Sequence, residues 1–304
     1  MTNKWLKVAL MVTAIATGTS INIDAETVLY VPQDDRPVSL QYTVDTAREA
    51  GMTVLTPPQH LISGKTYQGQ ADQIMAWVEQ NAGRADVMVL STDTLIYGGL
   101  VDSRKHNIPL STLQNRLKRI EGLKARNKNV RIYGFGTVMR SPRASGGGTE
   151  PAYYAEYGPT IFQIAALQDK LDSGSLTQEE TQKMMSLQAS VPVEYLQDWF
   201  DRRQKNMKIN KELIDETRSG VFDYFALGHD DTSQLSQSAL EGRYLNKYSK
   251  DISVEKYGSF PGADQLGLLL MARSRTDMST EKPTFSVIYP LGGGGKTLPG
   301  YEDQ

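Results

Sequence analysis

Acidic residues recur directly after apolar segments of this chain. Asp34-Asp35 follow Val28-Leu-Tyr-Val31, and Asp93 follows Ala85-Asp-Val-Met-Val-Leu90. Asp230-Asp231 follow Val221-Phe-Asp-Tyr-Phe-Ala-Leu227, and Asp264 follows a segment near Ile252 to Tyr257. Basic and aromatic groups accompany them: Arg36 and His229 adjoin the first and second pairs, Tyr97 and Arg104 flank Gly98-Gly99, and Arg140 follows Val130-Arg-Ile-Tyr-Gly-Phe135. Carboxylates that converge from several strand ends can divide acid–base work. Burial or a like charge keeps one protonated, while an arginine holds another ionised. Glycoside hydrolysis needs such a pair across one bond, and arginines and tyrosines grip hydroxyls or an anionic substituent. The same acids can instead ligate a metal for ester or phosphate hydrolysis. The candidate acid and base groups are therefore Asp35, Asp93, Asp230 and Asp231. The candidate substrate contacts are Arg36, Tyr97, Arg104, Arg140, His229 and Asp264. Each also has a structural role open to it: Arg36 can satisfy its neighbouring acids, Tyr97 can be core, His229-Asp230-Asp231 can form a capping turn, and Asp264 can cap the next helix.

These residues share one rim only if the apolar segments are parallel strands. Ala85 to Leu90 is nearly unbroken in its apolar character, as in a strand buried on both faces. Helices are expected over 40–50 and 70–80 and after Ser111-Thr-Leu-Gln114, which has the capping-box form. Leu113, Leu117, Ile120 and Leu123 then line one helical face. Further strands are expected at Thr53 to Pro57 and Pro283 to Tyr289. The alternation predicts an α/β fold, a parallel sheet flanked by helices: Rossmann-like and doubly wound, or alternatively an incomplete TIM-like barrel. About 150–220 reads as a helical insertion, with a second capping box at Thr177-Gln-Glu-Glu180 and a stop at Ser219-Gly220. It serves equally well as a lid or as a bundle over the sheet edge. Within it, Tyr153, Tyr154 and Tyr157 can stack on sugar rings or simply pack.

Composition narrows the function. A net charge of -2 gives no case for a nucleic-acid partner, and the absence of cysteine removes disulfides, thiolate metal sites and a cysteine nucleophile. The histidines, His60, His106 and His229, are far apart in sequence. Leu291-Gly-Gly-Gly-Gly-Lys-Thr297 is not a phosphate loop, because Pro290 holds the first glycine position. No dinucleotide fingerprint or serine nucleophile elbow occurs, so no cofactor and no metal is expected. Residues 1–25, with Lys4 and Lys7 before Val8 to Ala16, have the layout of a signal peptide cleaved after Ala25, which predicts an extracytoplasmic protein without stable membrane insertion. The remaining 26–304 is expected to be one α/β domain, C-terminally truncated because no helix closes the last strand.

Pro32-Gln-Asp-Asp-Arg-Pro-Val38, Ser91-Thr-Asp-Thr-Leu-Ile-Tyr-Gly-Gly-Leu-Val-Asp-Ser-Arg104 and Phe260-Pro-Gly-Ala-Asp264 together resemble domain-of-unknown-function family 4127, a mostly bacterial, secreted family. Val138-Met-Arg-Ser-Pro142 and Leu227-Gly-His-Asp-Asp231 are similar to it as well. The resemblance spans the mature chain and implies no activity. Where many members have Asp-Glu, this chain has Asp264-Gln265, which removes Gln265 from proton transfer. The leading expectation is a hydrolase acting on a glycan or small-molecule substrate. The alternatives are a non-catalytic solute- or glycan-binding protein and a metal-dependent deacetylase or phosphoesterase.

Overall fold

The computed structural model describes residues 26–144, 147–231 and 233–279, with 284 and 286. The segment at 1–25, the strand expected at Pro283 to Tyr289 and the glycine run after Leu291 lie outside the described residues. Strand β1 (Thr27–Val31) has Leu29 and Val31 in one apolar layer and Val28 and Tyr30 in another, the strict alternation of a strand covered on both faces. The same holds for β3 (Val87–Ser91), where Met88 and Leu90 oppose Val87 and Val89. The first layer is completed by helices α2 (Ala71–Asn81), α5 (Leu110–Arg126) and α8 (Val193–Ser219), and the second by α1 (Gln41–Glu49) and α10 (Leu266–Met278).

With β2 (Thr53–Leu55), β4 (Arg131–Val138), β5 (Tyr224–His229) and β6 (Tyr257–Pro261), the strands form one parallel sheet in the order β2-β1-β3-β4-β5-β6. This is the doubly wound arrangement. The barrel is excluded, because a barrel keeps neighbours in chain order, whereas here β1 sits between β2 and β3 and the winding reverses beside it. That reversal, between β1 and β3, is where the crevice of such folds opens.

Two local expectations shift. The sixth strand begins at Tyr257, not near Ile252. Residues Ser253 to Lys256 form a turn, with Lys256 N–H donating to Ser253 O at 2.9 Å, and pairing with β5 starts at Phe225↔Tyr257. Pro261 is tolerated at the end of that strand because it lies on the sheet edge. Helix α5 begins at Leu110 behind Pro109, so the Ser111 box is not used as a cap. The Thr177 box is formed on helix α7 (Gln178–Ala189), with Thr177 Oγ1 and Glu180 Oε2 each accepting the other residue's N–H. Helix α8 ends at Gly220, at φ 85°.

The insertion is a helical bundle with a core of its own. Helix α6 (Tyr154–Asp172) and the first half of α8 enclose their own core of Met139, Tyr154, Ile161, Ile164, Val191 and Trp199. The second half of α8 places Ile209, Leu213 and Ile214 in the sheet's first layer. Tyr153 stacks on Tyr195 at 4.7 Å, Tyr154 packs on Trp199 and Tyr157 on Tyr195, so these rings hold the bundle together and are not laid out as a sugar platform.

Candidate functional site

At the carboxyl edge of the sheet is a cavity of about 360 Å³ lined by Asp34, Arg36, Gly64, Lys65, Leu100, Val101, Arg104, Arg140, Thr149, Asp230 and Asp264. Six chain segments that are remote in sequence build it. The outlet of β1 brings Asp34 and Arg36. The loop after β2 brings Gly64 and Lys65. The short helix α4 (Leu100–Lys105) brings Arg104, β4 leads to Arg140, and the outlets of β5 and β6 bring Asp230 and Asp264.

Gly98 and Gly99 set the approach of α4. Gly98 has φ 113°, and a Cβ on Gly99 would fall 1.8 Å from Ser63 Oγ. Only glycine lets this turn lie against the Ser63 loop while Leu100 N–H donates to Gln33 O at 3.3 Å. The chain thereby turns α4 so that Arg104 enters the cavity. Its Nε and Nη2 donate to Asp230 Oδ2 at 3.0 and 2.6 Å, and both residues are largely buried. Burial pushes the Asp230 carboxyl above the usual carboxylate range, against the pull of Arg104 and Arg140, and the Asp264 charge pushes the same way as burial.

On the opposite wall Arg36 bridges two acids. Its Nε donates to Asp34 Oδ2 at 2.7 Å and its Nη2 to Asp264 Oδ1 at 2.8 Å. Asp264 therefore faces the cavity and does not cap the helix that follows it, whose first turn has no side-chain cap. Arg140 Nε donates to Glu150 Oε1 at 2.8 Å and its Nη2 to Thr149 Oγ1 at 2.7 Å. Glu150 is buried and belongs to the segment leading into the insertion.

The other candidates lie elsewhere. Asp35 turns away from the cavity, accepting from Tyr67 Oη while its N–H donates to Ser63 O. Asp93 lies buried beneath the site, accepting from Thr137 Oγ1 at 2.7 Å and Gln33 Nε2 at 3.2 Å. Its burial pushes the carboxyl up to about 6. Asp231 organises its own loop, accepting from Ser233 N–H and Oγ and from Ser141 N–H. His229 points to Ser259 Oγ at 2.8 Å and against Gly242, and burial lowers its pKa. Tyr97 is core, stacked on His106 at 4.9 Å.

The structure adds Asp34, Lys65 and Glu150 to the residues picked from strand ends. Asp34 is adjacent to the chosen Asp35, and only the turn decides between them. Lys65 and Glu150 have no strand-end signal at all. Among the described residues no three His, Asp or Glu side chains converge as a group able to hold a metal ion, and no helix is long and apolar enough to cross a membrane.

Fold and site together define a doubly wound α/β protein with a mixed-charge cleft at its switch point. The chain belongs to the family described as "Protein of unknown function (DUF4127)", whose model matches residues 28–304. Neither the curated proteins nor the solved structures yield a match to it.

Proposed function

We propose that this protein is a hydrolase that cleaves a glycan in the switch-point cavity, with Asp230 as proton donor and Asp34 as its partner. The observation that carries this reading is Asp230 itself. It lines the cavity, and burial raises its carboxyl above the usual carboxylate range, the direction that suits a general acid. Asp34 lines the same cavity and takes its counter-charge from Arg36. Asp230 passes its proton to the bridging oxygen as the bond to the anomeric carbon breaks. Asp34 either removes a proton from the water that adds there, giving inverted product, or attacks that carbon to form a glycosyl ester, which a water deprotonated by Asp230 then hydrolyses to free Asp34 and give retained product. The cluster Lys4, Lys7 and Val8 to Ala16 supports an extracytoplasmic setting for this activity.

The test is a panel of cell-wall and plant glycans incubated with the wild type and with Asp230→Asn and Asp34→Asn. We expect product from the wild type and a fall in kcat of about 10²–10⁴-fold in the Asp230 variant, with binding retained. Because the donor must be protonated, activity is lost as pH rises through the pKa of Asp230. Glycan bound and recovered intact after prolonged incubation with the wild type would favour the carrier reading and reject hydrolysis. Full turnover by both variants would reject the assignment of the two acids.

A further inference from the structure

The cavity presents four cationic side chains, Arg36, Lys65, Arg104 and Arg140, against three carboxylates, Asp34, Asp230 and Asp264. The ion pairs consume only part of the available donors. Arg36 uses Nε on Asp34 and Nη2 on Asp264, and Arg104 uses Nε and Nη2 on Asp230. Arg140 uses Nε and Nη2 on Glu150 and Thr149. In each of the three guanidinium groups Nη1 has no partner among the described residues.

Lys65 differs from the arginines. It is exposed on the rim, and among the described residues no carboxylate or other acceptor holds its ammonium group. A Cβ built on Gly147 would lie 3.9 Å from Lys65 Nζ, so the side chain extends across the mouth toward the segment that leads into the insertion. Among the described residues the unspent donors, three Nη1 atoms and Lys65 Nζ, thus outnumber the unspent carboxylate oxygens, Asp230 Oδ1 and Asp264 Oδ2. A neutral sugar offers hydroxyls, which donate as well as accept, whereas an ionised carboxylate only accepts and does so from several N–H groups at once.

Resting on the glycan reading above, we propose that the sugar unit bound here carries a carboxylate, as a uronic acid does, and that Lys65 is the residue that selects for it. The paired arginines receive the ring hydroxyls and share in holding the anion, while Lys65 supplies the charge that no acid among the described residues already cancels. Selectivity of this kind weakens as added salt screens the exposed ammonium.

The experiment measures binding of D-glucuronate, D-galacturonate, D-glucose and D-galactose to the whole protein by NMR titration at low and high salt. The uronates are expected to bind at least about tenfold more tightly than their neutral counterparts, the scale of one charge-assisted contact. Lys65→Gln should remove that preference and Lys65→Arg should keep it, and neither exposed substitution should disturb folding. Equal affinities for acidic and neutral sugars, an unchanged preference in Lys65→Gln, or tighter binding of a sulfated neutral sugar would each overturn the proposal. Because binding is read without turnover, the two ideas fail separately. Hydrolysis of neutral glycans with no preference for uronates sinks the substrate class alone. Lys65-dependent uronate binding with no hydrolysis sinks the catalytic reading alone.

Discussion

Two regions of this molecule use the same chemistry to different ends. Along α8, Arg202, Arg203, Asn206 and Asn210 are buried, as Arg104 of the cavity is, yet they are spent on the protein. Arg203 donates through Nε and Nη2 to Glu241, through Nη1 to Arg140 O, and again through Nη2 to Met139 O. Arg202 holds His106 O, Asn107 and Asp198, and Asn206 and Asn210 take Ser103 O and Thr137 O. At the cavity each guanidinium keeps its Nη1 without a partner among the described residues. Residue type does not separate the two regions, and burial does not separate Arg104 from Arg202 and Arg203. What separates them is whether every donor already has an acceptor. The α8 network also explains what the insertion contributes: it clamps the backbone of α4 and of the β4 outlet, the segments that present Arg104 and Arg140.

The largest effect should come from breaking the spent network. Arg203→Met removes the counter-charge of Glu241 and two carbonyl partners, and should cost about 3–5 kcal/mol, the usual penalty for orphaning a buried charge. Chemical denaturation of wild type and variant measures it, and a loss below about 1 kcal/mol would erase the contrast drawn between the two regions. Next comes Asp93, which lies between them. Its folded pKa is raised, so the folded state holds its proton over a range where the unfolded chain has released it. Stability conferred on the protonated form is therefore lost as pH climbs from about 4 to about 6, by about 3 kcal/mol across that window. Asp93→Asn should flatten this part of the stability–pH profile, as read by unfolding titrations at stepped pH. The smallest effect is expected at the cavity rim. Asp264→Asn removes an ion pair to Arg36 in which both side chains are well exposed, at 51% and 39%, so stability should change by less than about 1 kcal/mol. A large loss there would mean that the rim, too, is structural.

The layering was legible because strands buried on both faces must be apolar throughout, and β1 and β3 are. The stripe of Leu113, Leu117, Ile120 and Leu123 and the Thr177 box were equally plain, being set by contacts within one helix turn or two. Arg36, Arg104, Arg140, Asp230 and Asp264 could be marked for one rim from strand–loop position alone, since parallel strands release their loops on the same side. The choice between Asp34 and Asp35 was beyond reach. It turns on Asp35 N–H donating to Ser63 O, a contact with a loop that the local sequence does not foretell.

By itself, then, the sequence determined the element types, their parallel alternation and the supply of acids and arginines to one edge, all consequences of short-range periodicity and backbone preference. The tertiary structure alone decided the strand order, the reversal between β1 and β3, the entry of Lys65 and Glu150 into the site, and the partnership of Arg203 with Glu241. Those depend on segments that meet only after the chain has folded, and ion pairing and close approach act through space, without regard to separation along the chain.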